Sequence, residues 1–112
     1  MKSLFRHKIL TLLAGIATAV VIVFSQLFYF QAANYYYEND KDLKQALAWS
    51  DKAIAQNNAF YVVHLKAKIQ LKMKDYAGAI KTAEESKRLA QEAKNDDYVR
   101  MNDKLIETAR KS

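Results

Sequence analysis

His7 and His64 are the only imidazoles in 112 residues, and the chain has no cysteine. A metal centre needs three or four converging ligands. No histidine or acidic residue stands three or four positions from His64 to offer a second one from the same helix. His7 sits among Lys2, Arg6 and Lys8 and reads as a flank charge. Without a thiol there is no disulfide framework, thiolate nucleophile or iron–sulfur cluster. Ser50 and Ser86 fall at small-residue packing positions rather than beside a base. Glu84-Glu85 and Asp96-Asp97 are adjacent pairs, and adjacent helix positions point different ways, so neither forms a carboxylate dyad. Gly78 is the only glycine beyond the apolar N-terminal segment, which excludes a glycine-rich phosphate loop. No catalytic residue, metal ligand or cofactor site is expected, and the chain does not read as an enzyme. One recurrent spacing suits binding instead. Tyr61, His64, Lys68 and Lys72 follow one another at steps of three or four, so a helix would align them as an aromatic and basic strip able to receive an acidic segment.

The elements that must position these residues follow from composition. The chain is 51% hydrophobic, yet its mean hydropathy is −0.28 and 27% of it is charged. Both hold only if the apolar residues are concentrated. With no proline and two glycines, it reads as almost entirely helical. The concentration is at the front: from Ile9 to Phe30, 17 of 22 residues are hydrophobic and none is charged. As a helix this run covers about 33 Å, enough for a bilayer core of about 30 Å. The basic leader, residues 1–8, precedes it, and 31–40 carry no Lys or Arg. The positive-inside rule therefore puts the N-terminus in the cytoplasm and residues 31–112 in the periplasm of a bacterium, as a single-pass inner-membrane protein. Thr11, Gly15 and Ala19 lie four apart, a small-residue face for packing against another membrane helix. Phe28, Tyr29, Phe30 and Tyr35–Tyr37 stand where an interfacial aromatic belt would. The alternative is a cleaved signal peptide, with Ala17-Thr18-Ala19 or Val23-Phe24-Ser25 as cleavage sites and a secreted, soluble periplasmic binding module as product. Residues 31–112 hold 15 basic and 12 acidic residues, interspersed, which gives no case for nucleic acid.

Residues 31–112 match themselves at an offset of 33: Asp42-Leu43-Lys44-Gln45-Ala46-Leu47 with Asp75-Tyr76-Ala77-Gly78-Ala79-Ile80, and Ala53 with Ser86. Each copy reads as two helices. The first is Phe30–Asn39 with Asp42–Gln56, its stripe formed by Leu43, Ala46, Leu47, Ser50, Ala53 and Ile54. The second is Ala59–Lys74 with Tyr76–Lys94, Asp75 capping the latter. A last helix runs from Asn95-Asp96-Asp97 to Arg110. Its Tyr98, Met101, Leu105 and Thr108 are expected to close the open end of the stack.

The D-Y-x-x-A-I pattern at Asp75–Ile80 and the 33-residue period resemble the tetratricopeptide repeat, with Lys66 and Gln70 standing where large apolar residues are usual. The expected fold is thus all-α: one transmembrane helix, then two helix pairs and a closing helix. That resemblance implies a concave peptide-binding face formed by each repeat's first helix, showing Tyr35, Tyr61, His64, Lys68 and Lys72. From Gln31 to Thr108 the wording also resembles the C-terminal helical tail of an uncharacterised family of Bacteroidota envelope proteins. The runs that carry this are Gln31-Ala32-Ala33-Asn34-Tyr35-Tyr36-Tyr37-Glu38-Asn39, Ala46-Leu47-Ala48-Trp49 and Asn95-Asp96-Asp97-Tyr98-Val99-Arg100-Met101-Asn102. It implies an envelope location, and that family has no established activity to carry over. The functional expectation is a membrane-anchored protein–protein interaction module, an accessory or scaffold subunit whose partners are membrane-complex subunits, the bilayer and an acidic peptide segment.

Overall fold

The computed structural model describes Val20, Val21, Phe24 and residues 27–112. Among them every regular element is an α-helix: α1 (27–38), α2 (Leu43–Gln56), α3 (Phe60–Lys72), α4 (Tyr76–Glu92) and α5 (Asp96–Lys111). Among the described residues the all-α expectation holds, with the ends of α2 to α5 within two residues of those expected. Among the described residues no helix is long and apolar enough to cross a membrane. Most of the expected anchor, 9–30, and all of its packing face Thr11, Gly15 and Ala19 lie outside the described residues.

Three of the four turns share one device. Asp40, Lys74 and Lys94 adopt left-handed backbone (φ 52°, 65° and 56°) just past a helix end. The next amide then bonds back across the last turn: Lys41 to the Tyr36 carbonyl, Asp75 to that of Gln70, Asn95 to that of Ala90. The following helix starts on a side-chain cap. Asp42 accepts from the Lys44 and Gln45 amides, Asp75 from that of Gly78, and Asn95 from that of Tyr98. Gly78 is needed by this geometry, since a Cβ there would stand 2.2 Å from Asp75 Oδ2 and 2.8 Å from Gln70 Nε2. The α2–α3 turn departs from the pattern, with Asn57 extended and no side-chain cap at Ala59.

Turns this short make neighbouring helices antiparallel. Contacts at both ends of α1 and α3 show that these two run parallel: Phe30 stacks on Tyr61, ring centroids 5.6 Å apart, while Lys72 bonds Asp40 at 2.5 Å. The 33-residue period is visible as burial. Ala46, Ser50 and Ala53, the buried residues of α2, correspond one for one to Ala79, Ala83 and Ser86 of α4. These small side chains let the helices approach closely. Offset by 34, Ala33 and Ala67 are the matching positions of α1 and α3, both fully buried. The extra residue is Lys41, in the longer first turn. The fold is therefore a helical repeat-like stack.

The central helix is α3. Leu65 and Ile69 pack with Ala33, Ala46, Phe30, Tyr36 and Trp49 on one side. Ala67 and Leu71 pack with Ala79, Ala83, Leu105 and Ile106 on the other. Being covered on both sides, α3 lacks a single apolar stripe. Lys66 reaches out to Asp51 at 2.7 Å. The closing helix differs from expectation. Asn102, Leu105, Ile106 and Ala109 face inward, while Met101 is 42% exposed and Thr108 is exposed. The helix is turned by about one residue because Asn102 is drawn into a buried hydrogen-bond chain.

Candidate functional site

That chain links three helices. Ser86 Oγ–H donates to the Phe60 carbonyl (2.7 Å), and Asn102 Nδ2 donates to Ser86 Oγ (2.8 Å) and to the Tyr98 carbonyl (2.9 Å). With its amide hydrogens committed, Asn102 presents Oδ1 to His64 Nδ1 at 2.7 Å. The imidazole must therefore carry its proton on Nδ1. Asn102 and Ser86 are fully buried and His64 is 4% exposed, with its ring edge-on to Tyr98 at 5.4 Å. Burial holds the His64 pKa below the ordinary histidine value. The Asn102 hydrogen bond opposes that shift and the Lys68 charge adds to it.

His64 also lines a groove of about 290 Å³ between α1, α3 and α5. Its apolar lining is Leu71, Met101 and Leu105, with Tyr37 on the α1 side and Thr108 near the end of α5. Two ammonium groups border it, from Lys68 and Lys104. Lys68 lies 5.1 Å from the Tyr37 ring centroid, and burial pushes its pKa down against the opposing attraction of Glu38. Neither lysine is in an ion pair among the described residues. The groove is thus cationic at its rim and apolar at its floor.

The structure divides the five residues expected to share one face. Only His64 and Lys68 reach the groove, and His64 does so from a buried position. Lys72 is spent on Asp40, on the Tyr37 carbonyl (2.7 Å) and on the Tyr37 ring (4.5 Å). Tyr61 stacks between Phe30 and Phe60, and Tyr35 lies at the other end of α1 under Lys41 (5.6 Å). Helical spacing alone put Tyr61 and Lys72 in line with the others, but α1 covers much of that line. The residues that complete the groove, Tyr37, Lys104 and Leu105, come from α1 and α5, and only their helical register could have pointed to them. The aromatic residues assigned to a membrane belt are also engaged within the protein. Phe28 and Tyr36 flank Trp49 (6.1 and 4.7 Å), and Lys52 lies over Tyr29 (5.2 Å).

A second cleft, about 400 Å³, opens on the opposite side between α2, α3 and α4, with Ile54, Lys66, Gln70, Lys81 and Glu85 among its lining residues. No group of three or more His, Cys, Asp or Glu that could hold a metal ion occurs among the described residues. No protein-family model, curated protein or solved structure matches this chain.

Proposed function

We propose that this chain is a membrane-anchored interaction module: one helix holds it in a bacterial inner membrane, N-terminus inside, and a tetratricopeptide-like domain on the periplasmic side recruits a partner. It serves as an accessory or scaffold subunit of a larger membrane complex. The observation that carries this reading is a change along the N-terminal helical residues. Val20, Val21, Phe24 and Leu27 are 47%, 63%, 67% and 52% exposed, so the domain leaves their apolar surface uncovered. From Tyr29 onward the residues of α1 that face α2 and α3 are partly or fully buried. An uncovered apolar run continuous with a packed helix is what an anchor leaving its domain requires.

The groove supplies the interaction half of the proposal. Two ammonium groups that form no ion pair among the described residues, around an apolar floor, suit a peptide segment with carboxylates flanking an apolar side chain. Detergent-solubilised pull-down with mass spectrometry tests both halves. Membrane proteins co-purify with the intact chain, and K68E together with K104E weakens capture by about tenfold, the effect of losing and reversing two steering charges. K81E, on the opposite side, leaves capture unchanged. A shortened protein in the soluble periplasmic fraction overturns the anchor, and capture indifferent to K68E/K104E overturns the groove.

A further inference from the structure

We propose that the cleft between α2, α3 and α4 takes an aromatic ring bearing one N–H or O–H donor, the side chain of a tryptophan or tyrosine in a partner segment. The site lies on the opposite side from the cationic groove and depends neither on that groove nor on the anchor.

The chain's own repeat gives the first argument. With α1 and α3 offset by 34 and α2 and α4 by 33, Tyr36 corresponds to Gln70 and Trp49 to Thr82. Tyr29 and Lys52 correspond likewise to Val63 and Glu85. In the first pair these positions hold three rings and a lysine. Tyr36 packs on Trp49 at 4.7 Å, and the Lys52 ammonium stands 5.2 Å from the Tyr29 ring. In the second pair all four positions line the cleft of about 400 Å³. The same helix arrangement therefore carries three rings fewer, and open space stands in their place.

The second argument is an acceptor without a donor. Gln70 is 9% exposed, and its Oε1 is covered from water yet accepts no hydrogen bond from the described residues. Its Nε2 lies over Gly78, where a Cβ would stand only 2.8 Å away. An unmatched buried acceptor lowers stability, and a methionine of similar size would avoid that cost. The terminal torsion of a glutamine is soft, so a small rotation presents Oε1 to a donor entering the cleft.

A ring with a donor at its edge meets both conditions. Its apolar body covers Val63 and Ile54 while its N–H or O–H satisfies Gln70. A phenylalanine or leucine would fill the space and leave the acceptor unmatched. The contact needs no charge at the rim, where Lys66 is held by Asp51 and Glu85 by Arg88. K81E, at the same rim, leaves the seat of the ring intact.

Nuclear magnetic resonance on the full-length protein in detergent micelles tests this. The probes are N-acetyltryptophanamide and its 1-methylindole analogue, which lacks the N–H. The first shifts the Gly78 and Thr82 amides and the Gln70 side-chain amide to saturation, and the second binds about fivefold more weakly. In Q70M the two probes bind alike. T82W, which restores the ring of the first pair, closes the cleft to both. Equal binding of the two probes by the native chain overturns the hydrogen bond to Gln70, and unmoved Gly78 and Thr82 amides overturn the site. Free tryptophan binding more tightly than its amide makes the occupant a free amino acid and overturns the partner segment. Circular dichroism checks the fold of each variant. Should Q70M or T82W not fold, the two probes decide the question on the unaltered chain.

Discussion

Between α1 and α2, the first helix pair packs Phe28 and Tyr36 around Trp49, with Leu65 and Ile69 of α3 beneath. The second pair, α3 and α4, meets α5 through Leu105 and Ile106 and also through Ser86, Asn102 and His64, which add a continuous hydrogen-bond chain. The small buried positions of α2 and α4 are shared, so the backbone repeat is common to both pairs. Aromatic packing is tolerant, because rings can shift and still remove area from water. A buried polar chain is satisfied in one arrangement and costly in any other. The N-terminal pair thus adds area, while the distal pair sets the rotation of α5 and hence the shape of the groove.

The largest separation between the two comes from truncating each. N102A leaves His64 Nδ1 without its partner inside the protein and removes the donor to Ser86 Oγ, which keeps the Phe60 carbonyl, and should cost about 3 kcal/mol. W49A removes a half-buried ring whose neighbours can close in, and should cost about 2 kcal/mol. Urea unfolding followed by circular dichroism checks both. A Trp49 loss exceeding the Asn102 loss would mean that the hydrogen-bond chain is not what holds the distal pair.

A smaller effect distinguishes the pairs by pH. The His64 pKa is lowered by folding from its ordinary 6.5, so the folded state binds a proton less readily than the unfolded chain. The stability due to a neutral His64 is fully present above 6.5 and is lost as pH falls through the lower folded value. Chemical denaturation at about pH 7.5 and about pH 5 should show wild type losing more stability than H64Q, the difference isolating this group from the carboxylates. W49A should keep the wild-type slope. Equal slopes in wild type and H64Q would show that His64 does not titrate between the two states.

Those two tests concern residues that reading the chain treated very differently. Period and capping residues made the element order, the Asp75 cap and the matching small residues of α2 and α4 legible, because each depends on neighbours within one helix or turn. The burial of α3 on both sides was hidden, since stacking between two pairs erases the stripe that periodicity looks for. His64 had no partner nearby in sequence; Asn102 is 38 residues away. The expected face contributed two of its five members, His64 and Lys68, to the groove. Lys72 is claimed by Asp40 across a turn, and Tyr35 and Tyr61 point to opposite ends of α1. A face drawn from one helix leaves out what its neighbours cover or add.

The smallest predicted effect probes the turns, where the two pairs again differ. Lys74 adopts left-handed backbone and its side chain makes no ion pair or hydrogen bond among the described residues, so K74G should raise stability by about 0.5–1 kcal/mol. Asp40 holds the same conformation in the first pair but bonds the Lys72 ammonium. D40G relieves the backbone and loses that ion pair, an exposed contact worth about 0.2–1 kcal/mol, so its net change should lie near zero. Without Asp40 the Lys72 ammonium keeps the Tyr37 carbonyl and ring but loses its counter-charge, which adds a third uncompensated positive charge beside Tyr37, close to Lys68 and the groove. D40G should then strengthen capture of an acidic segment while K74G leaves it unchanged, a difference that binding assays on the two variants, each with near-native stability, would detect. Equal capture by both would mean that Lys72 is too far from the bound segment to contribute, and that the groove's charge rests on Lys68 and Lys104 alone.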